Sequence, residues 1–387
     1  MMVMTRYYLP EEFADYQMFI SVVNVCVILA TARYELAIVV PQYRFQAANI
    51  MWVGLSISVV LSVLLLLIVG ICSVVAPITN LVCDTMWWYL PTSVFLIGAY
   101  VCLYNWFVRE KMYIIISIAI VVFPISNFMF ALLFKYFSID DGLIISMVVG
   151  RIIEILLFTI IFVRKYRRYT KFPGLLKIVR YAKSYISFPK YLVGSSALEN
   201  LTAACPVFLI NMFFGKEITG LYSIAVQALS APSALVAKAV GDVFRQHVSV
   251  LYRQGIACKE YYDKNTLLLG KGALLLAGGL IICGPELFEI VLGSVWRASG
   301  EMAIFMIPGV CMMLVSVPLS SMFVISMHQR NYLHIQVLYF AANVIGLFLG
   351  TYYFGSVEMT LLLTSVLISF VAIRSVYKGR IIAMSRE

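Results

Sequence analysis

Charged side chains set inside long apolar stretches are the places where this sequence could do chemistry. Arg33 and Glu35 lie in CVILATARYELAIVV, and Arg151 and Glu154 in SMVVGRIIEILLF. Glu199 and Asn200 lie in GSSALENLTAA, and Lys238 and Asp242 in LVAKAVGDVF. At the middle of a bilayer such a charge costs about 2.5–3.5 kcal/mol on insertion scales, so it usually faces a bundle interior or a wet cavity. A set led by arginine and lysine suits an anion, because the guanidinium fork matches phosphate oxygens. A pocket for organic cations would want acids and aromatics instead. Arg33, Arg151, Glu199, Asn200 and Lys238 are therefore the candidate substrate-binding residues. Glu35, Glu154 and Asp242 are carboxylates able to carry a coupling proton or sodium ion. Arg151 and Glu154 are three apart, so they share a helix face and can pair. Arg33 and Glu35 are two apart and would point to different faces of a helix, unable to neutralise each other. Lys190 and Lys271 fall near span ends, where a lysine can snorkel to the interface.

The elements that must hold these residues are membrane helices. Of 387 residues 62% are hydrophobic and 12% charged, against about 25% charged in a soluble domain. Residues 47–72 contain no charge at all, and about 20 apolar residues suffice to span a bilayer as a helix. Hydropathy predicts eleven helices, at about 16–40, 47–72, 88–108, 113–135, 142–163, 188–213, 219–242, 267–292, 302–324, 331–353 and 357–377. Internal prolines such as Pro124, Pro206 and Pro308 do not veto these spans, because neighbouring helices can satisfy the freed backbone groups.

The loops give the orientation. One alternate set holds 20 Lys and Arg, while the other holds Arg6, Lys135, Lys216 and Arg297. The positive-inside rule puts the first set, and the C-terminus, in the cytoplasm. The net charge of +10 is thereby explained by topology, with no nucleic acid implied. Eleven spans leave the N-terminus outside with no signal-peptide pattern, and Met1–Pro10 is too short to span. The expectation is that an upstream helix is absent from this chain.

Residues 164–183, RKYRRYTKFPGLLKIVRYAK, carry eight basic residues and no acidic one. They read either as an ordinary positive-inside loop or as a surface-lying amphipathic helix touching anionic lipid. They divide the chain into an N-lobe at 1–163, a linker at 164–187 and a C-lobe at 188–387. At an offset of 205, residues 12–39 run alongside 217–244, so that Arg33 meets Lys238. The identities are few, but a six-plus-six parallel repeat of that kind is a common transporter plan.

Signatures of enzymes are missing: HExxH, GxSxG and a Gly-rich phosphate loop with its lysine do not occur. His247, His328 and His334 show no ligand spacing, so neither a metal nor another cofactor is expected. The eight cysteines include no CxxC, and a Cys72–Cys83 bridge is the single disulfide considered. A glycan polymerase or ligase would need catalytic groups on a sizeable outer loop, and the longest, 73–87, is short.

Residues 5–41, TRYYLPEEFADYQMFISVVNVCVILATARYELAIVVP, resemble the start of the bacterial Wzx-like polysaccharide or oligosaccharide flippases. YNWFVREKMYIIISIA at 104–119 and the stretch 188–246 are similar to later segments of that family. The resemblance covers nearly the whole chain through diffuse motifs. It implies a member of the superfamily that also contains multidrug exporters: an all-α integral membrane protein, with twelve helices in two lobes around a central cavity. The first of the twelve would precede Met1. It further implies a transporter rather than an enzyme, in the bacterial inner membrane, moving an undecaprenyl-pyrophosphate-linked oligosaccharide by alternating access for O-antigen, capsule or exopolysaccharide synthesis. Membrane lipids and other glycan-assembly membrane proteins are the expected partners. Arg33 in TARYELA and Lys238 in AKAVGDVF fall on the matching stretches. A drug or metabolite antiporter of the same fold is the alternative, ahead of a polymerase or ligase.

Overall fold

A computed structural model describes residues 4–79, 85–254, 256–326 and 328–384, and every regular element among them is helical. The helices are α1 (Pro10–Thr31), α2 (Tyr34–Ala37), α3 (Arg44–Thr79), α4 (Leu90–Arg109), α5 (Tyr113–Tyr136), α6 (Gly142–Tyr166) and α7 (Leu175–Ser184). They continue with α8 (Gly194–Arg253), α9 (Lys259–Leu292), α10 (Arg297–Leu319), α11 (Ser321–Ile325), α12 (Gln329–Phe354) and α13 (Val357–Met384). Ten helical runs among the described residues are long and apolar enough to cross a membrane, so this is a multi-pass membrane protein. One run, Gly194–Tyr252, is 59 residues long, far beyond the roughly 20 that a bilayer needs. It is broken at Gly215, whose φ of 85° and ψ of 178° only glycine adopts without strain. Counting the two halves separately gives the eleven spans expected.

The chain forms two compact units, one of Tyr16–Asn200 and one of Met2–Asp15 with Leu201–Glu387. The basic stretch after α6 belongs to the first unit, where α7 packs along α3. In that unit α3 pairs with α4 and α5 with α6. An aromatic group of Trp106, Phe107, Phe158 and Phe162 closes the end nearest α7. In the second unit α10 packs on α9 and α13, and α12 on α13. Small residues set that packing. A Cβ added at Gly346 would come 2.7 Å from Thr364 Cα, and one at Gly350 would come 2.7 Å from Thr360 Cα. Membrane helices rely on such close approach, since lipid gives apolar side chains no reason to leave it.

Two expectations are corrected at the first span. Hydropathy carried it to residue 40, but α1 ends at Thr31 because Ala32 and Arg33 take left-handed φ values of 45° and 62°. Apolar residues continue past the break, so composition could not reveal it. Arg33 and Glu35 consequently do pair, at 3.3 Å, because no continuous helix holds them on different faces. The described cysteines form no disulfide among themselves, and Cys83, half of the bridge considered, lies outside the described residues.

Candidate functional site

The first cluster is built on the break after α1. Two consecutive non-glycine residues in the left-handed region cost energy, and here they turn Arg33 away from the helix axis. Its Nε donates to Ser196 Oγ at 3.1 Å, and its Nη1 donates to Glu35 Oε1 at 3.3 Å. Glu35 is 2% exposed and Arg33 26%. Between them, the Tyr34 hydroxyl donates to Ala182 O of α7 at 2.8 Å. Burial pushes the Tyr34 phenol above its ordinary pKa, so it remains a donor across the physiological range. Asn200 is half-buried, and its amide donates to Ser196 O at 3.0 Å. Ser196 thus joins Arg33 and Asn200, while Glu199 is exposed.

A second cluster lies among α1, α4, α5 and α6. Arg151 pairs with Glu154 at 2.5 Å, with side chains 15% and 1% exposed. The Arg151 guanidinium sits over the rings of Phe123, at 3.9 Å, and Tyr100, at 4.7 Å. An aromatic face attracts a cation, more so when both are removed from water. Tyr16 lies beside Asn127 and close to Arg151, and Asn127 Oδ1 is 2.8 Å from Ser146 Oγ. Arg151 Nε and Glu35 Oε2 are buried with no hydrogen-bond partner among the described residues. Native interiors satisfy nearly all such groups, so each of these two atoms has capacity for one further hydrogen bond. Each cluster thus presents one guanidinium, one deeply buried carboxylate and neutral hydrogen-bonding groups. That arrangement can bind an anion, or exchange its internal pair for one when the carboxylate takes a proton.

Of the residues singled out in the sequence, the structure brings Arg33 to Glu35, Arg151 to Glu154, and Asn200 to the Ser196 carbonyl; their neighbours Ser196, Tyr16, Tyr100, Phe123 and Asn127 were not among the expected residues. The one available signal was weak: Asn127 is a lone amide in an apolar helix. The side chains of Lys238 and Asp242 lie outside the described residues, and their backbone belongs to the second half of α8. Among the described residues no group of three or more His, Cys, Asp or Glu side chains is arranged to hold a metal ion.

The fold is that of the MATE transporters. The chain is similar to an inward-facing multidrug resistance MATE family transporter of the MOP superfamily, with a TM-score of 0.74 and 13% identity over 100% of this chain and 95% of that one. It is also similar to a MATE protein crystallised in complex with MaD3S, with a TM-score of 0.63 and 12% identity over 99% of this chain and 90% of that one. The Vibrio cholerae MATE transporter VcmN in its bent form gives 0.55 and 14%, over 96% of this chain and 87% of that one. Residues 3–301 match the model of a family described as polysaccharide biosynthesis protein. That match covers most of the chain, and the protein belongs to this family. Comparison with curated proteins gives no match.

Proposed function

We propose that this protein is a transporter, not an enzyme, that moves a polyprenyl-pyrophosphate-linked oligosaccharide across the bacterial inner membrane. The carrying observation is the coincidence of a polysaccharide-biosynthesis family with a transporter fold. Arg33 and Arg151 support an anionic head group, since both are held inside the first unit by partners that leave donors to spare. The strongly uneven distribution of Lys and Arg between alternate loops supports a cytoplasmic C-terminus. In this reading the head group enters from the cytoplasm, the polyprenyl chain stays in the bilayer, and alternating access delivers the sugar outside. A head group with two negative charges gains about 2.3 kcal/mol per charge per 100 mV on moving to the positive side. The membrane potential therefore favours export without a nucleotide. Glu35 or Glu154 would carry any coupling ion, because protonating Glu154 releases Arg151 for a phosphate. Lys238, Asp242 and Glu199 stay in the proposal as lining residues, and other glycan-assembly membrane proteins as partners.

The test is deletion of the gene followed by analysis of lipid-linked oligosaccharide and surface glycan. Accumulated intermediate with lost glycan is the expected result, restored by the wild-type chain and not by Arg33→Ala/Arg151→Ala at equal expression. Full restoration by that double variant would sink the cationic site. A second reading, a multidrug antiporter, is favoured by the multidrug transporter among the structural relatives and by two buried carboxylates. Unchanged glycan intermediates together with drug accumulation on deletion would select it.

A further inference from the structure

We infer that the end of the first unit bearing α7 is a binding site for an anionic phospholipid of the adjoining leaflet. Glu110 lies at this end of the unit. Its carboxylate is 5% exposed, and it is met by Arg44 at 2.8 Å and Arg109 at 2.6 Å, with the Tyr166 hydroxyl donating at 3.1 Å. Glu110 is thereby satisfied and spoken for. Beside it opens a cavity of about 450 Å³ whose rim carries Arg164, Lys165, Arg167 and Arg168. All four are exposed, and among the described residues none has a carboxylate within ion-pairing distance. Lys165 donates to Met112 Sδ at 3.6 Å and lies 5.9 Å from the centre of the Tyr166 ring. Four cations at one rim, with the single nearby acid already engaged, form a site for a phosphate-bearing anion.

The neighbouring helix identifies which anion. α7 docks on α3 through Ile178, which is 7% exposed, with Tyr181 and Ala182 packed beside it. The next arc of the same helix shows Leu175, Leu176 and Val179 at 72%, 89% and 51% exposure. Lys177 and Arg180 occupy the remaining arc, and Lys183, in the last turn, falls between Val179 and Leu176; all three are exposed. Three arcs of that order on a helix with about 3.6 residues per turn suit a helix lying in the bilayer interface. One arc holds the protein, one enters the acyl boundary and one faces head groups. The cavity and the helix are joined through α3. Arg44 opens α3 and lines the cavity, while Trp52, two turns further on, donates to Tyr169 O at 3.2 Å and meets the Phe172 ring at 5.6 Å. Since Arg44 also begins a candidate span, the cavity lies at head-group depth. A soluble phosphate would have no use for the exposed leucines, whereas a phospholipid uses both surfaces.

The experiment titrates the purified full-length chain in detergent with phosphatidylglycerol or phosphatidylcholine and counts bound lipid by native mass spectrometry. A clear preference for phosphatidylglycerol is expected, falling about fivefold for each cation removed in Arg164→Gln, Arg167→Gln and Arg168→Gln. The triple variant Arg245→Gln/Lys264→Gln/Arg330→Gln, which removes equally exposed cations of the second unit, should keep the preference. Hydrogen exchange in nanodiscs reads the helix directly. The α7 amides should be more protected with phosphatidylglycerol than without, and Leu175→Ser/Leu176→Ser/Val179→Ser should remove that protection while the chain stays folded by its melting curve. Equal affinity for the two lipids, or equal losses in both triple-Gln variants, would overturn the site. So would displacement of phosphatidylglycerol by millimolar inorganic phosphate, or by a long-chain polyprenyl phosphate at equal concentration.

Discussion

The two units keep their charges in different places. The first buries Glu35 and Glu154, each against one arginine, and the Glu110 carboxylate against two. In the second, the ion pairs of the described residues sit toward the surface. Arg297 is shared by Glu286, Glu289 and Glu301, and Arg380 grips Asp263. The buried polar residues of that unit are serine, threonine and asparagine, mostly hydrogen-bonded to backbone carbonyls one turn earlier. Such groups close their own bonds and let helices approach, but they offer a ligand little. Guanidinium groups with spare donors do the reverse: they destabilise an empty interior and reward an anion. Among the described residues, which do not include the side chains of Lys238 and Asp242, this difference supports the proposed binding chemistry in the first unit and close helix packing in the second.

The sharpest way to break this comparison is Arg151→Ala. It strands Glu154, 1% exposed, and removing one partner of a buried pair costs about 3–5 kcal/mol. A large fall in the melting temperature of the purified chain is the expected outcome. Arg151→Met/Glu154→Leu should recover most of that loss, because replacing a whole buried pair by apolar groups is often neutral. Arg297→Ala, at a half-exposed network, should shift melting far less. Equal shifts for Arg151→Ala and Arg297→Ala would erase the distinction between the units.

That contrast was only half legible in the sequence. The spans were legible because hydropathy and length decide them, and Arg151–Glu154 because three-residue spacing fixes a shared face. The end of α1 was not, since residues 36–40 are as apolar as those before Thr31 and the break rests on two backbone angles. The group around Glu110 was equally hidden. It joins Arg44, Arg109 and Tyr166 across more than a hundred residues, and pairing at that separation leaves no periodic trace. The one clue was that Glu110 is an acid in an otherwise basic loop. The offset of 205 that aligns Arg33 with Lys238 also aligns Pro10 with Gly215. α1 starts at the first and the second half of α8 starts after the second. The equivalent helices then part company, because α1 breaks at Arg33 while α8 runs on through Lys238 to Arg253.

Arg33 gives the next largest effect. Its bonds to Ser196 and Glu35 are charge-assisted, each worth about 1.5–3 kcal/mol. Arg33→Ala should lower surface glycan by roughly tenfold or more if one such bond is lost in the translocating state. Arg33→Lys keeps the charge without the fork and should fall between. Glycan output at equal expression checks this. An Arg33→Lys variant as poor as Arg33→Ala would show that the fork matters more than the charge. In the second unit, Gly346→Ala forces a Cβ to 2.7 Å from Thr364 Cα. Backbone cannot yield as a side chain can, so overpacking should cost about 1–3 kcal/mol. That loss should appear in melting while the affinity of the surviving folded fraction for the proposed lipid-linked substrate is unchanged. A changed affinity would move ligand chemistry into the second unit and undo the contrast.

The smallest effect tests whether glycine as such, or close approach, is what the second unit uses. Gly70 lies in α3 with nothing within 4 Å of an added Cβ. Glycine is less favourable than alanine inside a helix by about 0.8–1.0 kcal/mol, mostly through unfolded-chain entropy. Gly70→Ala should therefore raise the melting temperature slightly, by no more than that energy allows. The sign is what discriminates. If Gly70→Ala destabilised the chain as Gly346→Ala does, glycine in these helices would be needed for something other than contact, such as bending during transport. A rise with Gly70→Ala and a fall with Gly346→Ala leaves the approach of α12 to α13 as the reason glycine is found at 346.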